Sequence, residues 1–155
     1  ATRLTEALDL QKANGWAPFV ALQPHYNLVE RDEYENEYAH LCLQRGLGTL
    51  PYFGLARGFL TGKYRGGADI SSVRAEGVTQ YADERGERVL TALEQVADAH
   101  GVSMAAVALA WLRTRPAVVA PIASARTVEQ LADLLRMVDV ELDEAEESAL
   151  DAASA

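Results

Sequence analysis

The sequence predicts an α/β fold built on a parallel β-sheet. Short apolar runs typical of buried strands alternate with amphipathic helical segments, in the order α, β, α, β, long loop, α, α, β, α, α. At 155 residues, 49% hydrophobic and 24% charged, the chain has the size and apolar content of one domain. Only three strands are predicted, which leaves two sheet edges unpaired. We therefore expect the chain to associate with more sheet or to be part of a longer protein.

The first half of the chain alternates helix and strand. Residues 2–13 have helical apolar spacing, and Asn14-Gly15 predicts the end of that helix. The apolar run 19–23 lies between two prolines and predicts a buried strand. A second helix is predicted over 32–45 and a second strand over 47–53. On one face of the second helix lie Tyr34, Tyr38, Leu41 and Cys42.

The segment 54–82 is rich in glycine and shows little periodicity. A structureless stretch of nearly thirty residues is uncommon inside a compact domain unless it is a functional loop. We therefore interpret 54–82 as a long loop with a role in binding.

The second half is helical apart from one predicted strand. A helix should end at Gly101, and Ser103 should cap the next helix, 104–113, whose apolar surface on nearly every side predicts burial. A third strand is predicted over 118–122. A capping box from Thr127 to Gln130 opens a further helix. Its inward residues are predicted to be Leu131, Leu134, Leu135 and Val138, and Asp143 should cap a final helix through Leu150.

Charge and composition exclude several classes of protein. The net charge is −9 and the 14 lysines and arginines are scattered, which argues against nucleic-acid binding. The sequence contains no apolar run of membrane-spanning length, and its start does not read as a signal peptide. The single cysteine, Cys42, excludes an internal disulfide and a cysteine-based zinc cluster, and no metal is expected. We expect a cytoplasmic, reducing setting.

Several motifs, in order along the chain, resemble segments of the aldo-keto reductase family. They are Gln23-Pro24-His25-Tyr26-Asn27-Leu28 with Glu30-Arg31, Gly46-Leu47-Gly48 to Pro51-Tyr52, Leu55 to Tyr64, Val107 to Leu112, and Pro121 to Thr127 with Gln130-Leu131. The resemblance implies the C-terminal half of a (β/α)8 TIM barrel over residues 1–155, from helix 5 to the C-terminal helix. It also makes 54–82 the loop on the cofactor side.

The family reduces aldehydes and ketones with NADPH, so the resemblance implies an NADP-dependent oxidoreductase acting on a small carbonyl substrate. Its catalytic Asp, Tyr, Lys and His lie on the first four strands, which have no counterpart here. We therefore expect no catalytic residue in this chain and no activity from the chain alone. Its partner would be the N-terminal half of the barrel, or a second copy through the open sheet edges. A non-catalytic nucleotide-binding or interaction half-barrel and a small doubly wound domain remain alternatives.

The resemblance also implies a set of NADP(H)-contacting residues. Gln23 would bond the nicotinamide carboxamide and Tyr52 would stack on the nicotinamide ring. Backbone contacts are expected near Leu55, because Phe53 replaces the usual serine. The remaining candidates for the phosphates are Arg57, Gly58, Lys63 and Arg74.

A second group of candidates brackets the helix that follows the third predicted strand. Arg126 would pair with the 2′-phosphate and so select NADPH, while Ser124, Gln130 and Asp133 would lie near the adenosine. Leu134 replaces a family asparagine and removes one adenine hydrogen bond. Simple helix capping is an equally good interpretation of Gln130. His25 could in principle act as an acid or a base, but it is interpreted as a residue that packs the loop.

Overall fold

A computed structural model describes residues 1–65 and 77–155 of the chain. The longer helices are α1 (Thr2–Asn14), α2 (Ala39–Arg45), α3 (Glu84–His100), α4 (Met104–Thr114), α5 (Val128–Leu135) and α6 (Glu144–Ala153). The two strands are β1 (Ala21–Leu22) and β2 (Gly48–Thr49). A π-helical turn (Tyr34–Tyr38) precedes α2, and 3-10 helices cover Ala56–Thr61, Thr79–Tyr81 and Arg136–Val138. The structure is therefore α/β, with helix in excess.

The two strands form a small parallel sheet, as the alternation of strand and helix predicts. Ala21 lies opposite Gly48 and Leu22 opposite Thr49. The predicted third strand, 118–122, is wrong as an assigned strand. It runs beside β2 and makes an isolated parallel bridge between Thr49 and Val118. Beyond that bridge, the Ile122 N–H donates to the Pro51 carbonyl at 2.8 Å, but the segment forms no continuous ladder with β2.

The first strand is not buried as predicted. Phe19 is 55% exposed and Val20 is 72% exposed, whereas the prediction placed the whole apolar run 19–23 inside the fold. On the other margin, Val119 is 69% exposed. These residues have the composition of a core strand, but no element of the described chain covers them.

Helix α4 is the centre of the core, and its predicted burial is confirmed. All its residues from Ala105 to Leu112 are buried. Trp111 is fully buried, and its indole Nε1–H donates to a carboxylate oxygen of Asp151 at 2.9 Å. The guanidinium groups of Arg31 and Arg115 lie 5.4 and 4.8 Å from the Trp111 ring. This cluster fixes α6 against α4.

Local signals at the helix ends behave as predicted. Gly15 and Gly101 both adopt the left-handed conformation that ends α1 and α3. The Ser103 hydroxyl accepts from the Ala106 N–H at 3.1 Å and so caps α4. The Asp143 carboxylate caps α6, although that helix runs on to Ala153. Each of these signals depends on residues within one turn of the helix end.

Helix α5 differs from its predicted orientation. Leu134 packs against the core as expected, but Leu131, Leu135 and Val138 are 49, 55 and 54% exposed. Val128 on the same helix is 77% exposed. The outward apolar stripe faces no element in the part of the chain that the structure describes. The predicted helix 32–45 also begins later than expected as α-helix, because residues 34–38 form the wider π-helical turn.

Candidate functional site

A cleft of about 370 Å³ opens beyond the carboxyl end of β2. It is lined by Tyr52, Phe53, Gly54, Leu55, Arg57, Gly58, Lys63, Ile122, Ala123 and Ser124. Six of these are residues predicted to contact a cofactor: Tyr52, Leu55, Arg57, Gly58, Lys63 and Ser124. Larger depressions over α3 and α1 are open surface grooves that contain none of the predicted residues. The cleft is therefore the candidate site.

The backbone of the cleft wall is strained. Phe53, Ala56 and Arg57 have φ values of 54°, 47° and 59°, in the left-handed region that residues with side chains rarely adopt. Each such residue costs about 1–3 kcal/mol and persists only where its surroundings enforce it. Gly58, at φ 99°, completes the turn. A cluster of such residues at one cleft is an observation that points to a binding role.

The same strained turn leaves polar backbone groups available. The N–H groups of residues 53–55 make no hydrogen bond to any described residue, whereas the Ala56 N–H donates to the Phe53 carbonyl at 2.7 Å. Successive unpaired N–H groups beside a left-handed residue form the kind of concavity that binds anions. This wall therefore has the donors that a phosphate group requires.

Tyr52 forms the floor of the cleft at the end of the sheet. Its N–H donates to the Pro24 carbonyl at 3.0 Å, which fixes it next to the segment that follows β1. The His25 ring stacks on one face of Tyr52, with centroids 5.1 Å apart and an interplanar angle of 20°. Tyr52 remains 36% exposed and borders the cleft, so the ring has surface available for a planar ligand. His25 packs as the sequence interpretation expected.

Two cations at the cleft are free of carboxylate partners among the described residues. The Arg57 guanidinium lies 4.3 Å from the centroid of the Phe53 ring, and the Lys63 Nζ lies 4.7 Å from that of Tyr64. Arg65, by contrast, pairs with two glutamates of α3 and is held away from the cleft. Arg57 and Lys63 therefore keep their charge available to an anion.

The start of α5 continues one side of the cleft beyond Ser124. The Thr127 hydroxyl accepts from the Gln130 N–H at 3.2 Å, as a capping residue does. The Gln130 side chain accepts from the Arg126 N–H at 2.9 Å, one residue earlier than the predicted capping box requires. Arg126 is exposed, and its guanidinium has no partner within residues 1–65 and 77–155. The arrangement fixes the Arg126 backbone and leaves its charge free.

Two further features of α5 bear on anion binding. Hydrogen bonds from its own backbone N–H and from the Thr127 hydroxyl hold the pKa of Glu129 below its usual value. A carboxylate therefore already occupies the positive end of this helix and competes with a bound anion. The Asp133 carboxylate accepts from the Ser103 hydroxyl at 2.8 Å, which supports the cap of α4. Asp133 thus has a structural partner as well as its predicted position near the adenosine.

Gln23 is not among the residues that line the cleft. Gln23 is exposed at the end of β1, and its side chain makes no hydrogen bond with the described residues. Arg74 lies outside the described residues. Sequence reasoning missed Gly54, where an added Cβ would come within 3.1 Å of Leu109 and Leu112. It also missed Asn27, a fully buried side chain that contacts the cleft wall. The sequence signal for Asn27 was an amide side chain between two apolar residues, Tyr26 and Leu28.

Neither a metal nor a membrane span is indicated by the part of the chain described. No group of histidine, cysteine, aspartate and glutamate in residues 1–65 and 77–155 has the arrangement of a metal site. No helix there is long and apolar enough to cross a membrane.

Comparison with known proteins gives a consistent result. The sequence profile described as "Aldo/keto reductase family" matches residues 2–155. An aldo-keto reductase of Fusarium vanettenii is 35% identical over 148 residues, covering 92% of this chain and 39% of the relative. The aldo-keto reductase AMT2 of Alternaria alternata is 38% identical over 141 residues, covering 89% and 37%.

The fold has a similar match among solved structures. A thermostable aldo-keto reductase, crystallised with the inhibitor epalrestat, superposes with a TM-score of 0.67 at 26% identity. The match covers 93% of this chain and 44% of that protein. The chain therefore spans about two fifths of the length of the curated relatives it matches.

Proposed function

The chain belongs to the aldo/keto reductase family, and from this premise we propose that it is the cofactor-binding half of an NADPH-dependent carbonyl reductase. The observation that supports the proposal most strongly is the cleft beyond β2. It is lined by an aromatic ring, by two cations without a carboxylate partner among the described residues, and by backbone N–H groups without an acceptor among them. These groups suit the parts of a dinucleotide, which combines an aromatic ring with phosphates. The reduction of an aldehyde or ketone follows from the family.

The proposed cofactor seat uses the cleft residues in distinct roles. The face of Tyr52 that His25 leaves uncovered would support the nicotinamide ring, and the Gln23 amide would reach its carboxamide. The backbone N–H groups of 53–55 and the Lys63 ammonium suit the pyrophosphate, with Arg57 beside them. These groups support the proposal that the cleft binds a pyrophosphate.

The adenosine end of the proposed cofactor lies at α5. The Arg126 guanidinium suits a 2′-phosphate, which would favour NADPH over NADH. Ser124 and Gln130 flank it, and Asp133 follows one turn later on the helix. Because the Gln130 side chain already holds the Arg126 N–H, we assign it a supporting role for this turn. Arg74 is proposed as a further phosphate ligand by family resemblance alone.

In this mechanism the chain binds and orients, and does not donate the proton. When bound, the reduced nicotinamide supplies a hydride to the substrate's carbonyl carbon. Tyr52 would support one face of the nicotinamide ring and would leave the other face to the substrate, which is an orientation effect. By the family resemblance, the proton for the carbonyl oxygen would come from a tyrosine on the first four barrel strands, assisted by a lysine and a histidine.

The two exposed margins of the sheet support a place within a larger barrel. Phe19 and Val20 are exposed on the β1 side, and Val119 is exposed on the other, together with the outer face of α5. Contiguous apolar surface of this kind marks an interaction site. We propose that the barrel strands preceding this segment in the family cover both margins, and that the chain forms the C-terminal half of a (β/α)8 barrel.

Two measurements test the proposed function. The natural protein should have an intact mass well above 16.8 kDa, since a complete barrel needs roughly 250 residues. It should also oxidise NADPH when given a nitrobenzaldehyde. The isolated 155-residue chain, with its mass confirmed, should not. Turnover by the isolated chain would contradict the proposal. NADPH binding without turnover by the full-length protein would favour a non-catalytic nucleotide-binding role instead.

A further inference from the structure

A buried asparagine joins the end of β1 to the wall of the cleft. Asn27 is fully buried, and its Nδ2 donates to the Phe53 carbonyl at 2.9 Å, across 26 residues of sequence. Its Oδ1 accepts from the Val29 N–H at 2.9 Å. Its backbone N–H and carbonyl pair with those of Glu30 at 3.2 and 3.0 Å. The turn that carries Asn27 is therefore rigid, and every polar atom of the side chain is used for a specific contact.

The contact with Phe53 acts on the strained turn. The Phe53 carbonyl accepts two hydrogen bonds, one from Asn27 and one from the Ala56 N–H at 2.7 Å. These two bonds restrain the peptide group that joins Phe53 to Gly54, and so they fix the direction of the Gly54 N–H. Phe53 stays at φ 54°, a conformation that phenylalanine seldom adopts without such support. Residues 53–55 line the cleft, and their N–H groups make no hydrogen bond to a described residue.

A second contact reinforces the same turn. The His25 ring packs edge-on against Phe53, with centroids 5.5 Å apart, while stacking on Tyr52. His25 and Asn27 therefore hold the side chain and the backbone of Phe53 from the same short segment. No other fully buried side-chain amide contacts the cleft wall in the described residues.

We propose that Asn27 is a positioning residue for the cofactor, since it holds the Phe53 carbonyl and so orients the Gly54 N–H of the same peptide group toward a phosphate. This builds on the proposed function, because the phosphate in question is that of NADP(H). Asn27 touches neither cofactor nor substrate; it acts through the Phe53 backbone. Loss of the Asn27 Nδ2 donor alone should lower the affinity for the cofactor by more than its effect on melting temperature explains.

The substitution Asn27→Asp tests the donor separately from the shape. The introduced carboxylate keeps an acceptor for the Val29 N–H, but when ionised it cannot donate to the Phe53 carbonyl. Burial raises the pKa of such a carboxyl, and the protonated form can donate again. The variant should therefore bind NADP⁺ about tenfold more weakly than wild type near pH 7.5, and the deficit should shrink on acidification to about pH 5.

Two further variants separate a loss of NADP⁺ affinity from a general loss of stability. Asn27→Ser keeps a hydroxyl that can accept from the Val29 N–H, but it is too short to reach Phe53. It carries no charge, so it should bind weakly at both pH values. The matched control is Tyr34→Phe, which removes a buried hydroxyl that bonds Thr49 and the Pro116 carbonyl at 3.0 and 3.1 Å, away from the cleft. It should lower the melting temperature yet leave NADP⁺ affinity within about twofold.

The experiment is calorimetric titration of NADP⁺ into the natural full-length protein and its variants, each well below its melting temperature. Weak binding by both Asn27 variants, with acid rescue of Asn27→Asp only, is the expected result. Wild-type affinity in Asn27→Ser, or losses that merely follow melting temperature across all three variants, would overturn the role of Asn27. Failure of the wild-type protein to bind NADP⁺ or NADPH would instead overturn the proposed function, and this role with it.

Discussion

Removing the Arg126 side chain should weaken NADPH binding while sparing NADH. The guanidinium is exposed and has no partner among the described residues, so the free protein loses no ion pair in the substitution Arg126→Ala. The backbone also stays in place, because the Gln130 side chain accepts from the Arg126 N–H at 2.9 Å. Any change in affinity therefore reports on the ligand.

The size of the effect follows from the exposure of the site. A hydrogen bond to a charged group contributes about 1.5–3 kcal/mol, and solvent screening at an exposed position favours the lower end. A loss of about 1.4 kcal/mol corresponds to tenfold weaker NADPH binding. NADH lacks the 2′-phosphate, so its affinity should change by less than about twofold. The NADPH effect should also decline as salt concentration rises.

The assay is equilibrium titration of NADPH and NADH at low and high salt. The matched control is Arg88→Ala, which removes the same charge from an exposed position on α3, outside the cleft. It should change neither affinity. Equal losses for NADPH and NADH in the Arg126 variant would refute the assignment of this residue to the 2′-phosphate.

Three other substitutions have defined expectations. Glu129→Gln removes the carboxylate at the start of α5 and should strengthen NADPH binding about two- to fivefold in the same titration. Weaker binding would contradict the view that the Glu129 carboxylate competes with the bound anion. Gly86→Ala places a Cβ 1.8 Å from the Tyr81 carbonyl and should lower the free energy of unfolding by about 2–3 kcal/mol in urea denaturation; an unchanged midpoint would disprove that packing. Asp151→Ala leaves the buried Trp111 N–H without its acceptor and also removes the carboxylate that pairs with Arg31 and Arg115. It should cost about 2 kcal/mol by the same method, and a neutral effect would contradict the role of this cluster in holding α6 against α4.

Helix ends could be predicted from the sequence because their signals are local. The glycine at 15 and the aspartate at 143 act within one turn of the helices they end or begin. The positions of the strands along the chain could be predicted, but their pairing and burial could not, because both depend on which strand lies alongside. The apolar run 118–122 has the composition of a core strand, yet Val119 is 69% exposed and the pairing is a single bridge.

The candidate site also has a part that the sequence predicts and a part that only the structure shows. The order of the family motifs predicted that Tyr52, Lys63 and Ser124 belong to one site, and the structure brings them to one cleft. The amide of Asn27 between two apolar residues is visible in the sequence, but its contact with Phe53 could not be predicted, because that contact depends on two chain segments meeting in three dimensions. The same holds for the strained backbone at Phe53, since no residue preference predicts a left-handed phenylalanine.

The central claim is that the cleft beyond β2 is the seat of NADP(H). Chemical-shift mapping of backbone amides in the natural full-length protein during NADPH titration tests it most directly. We expect saturable shifts concentrated at residues 52–58, Lys63 and 122–126, with the N–H signals of 53–55 moving most because no described residue accepts from them. Saturable shifts confined to another surface, or none at all, would contradict the account.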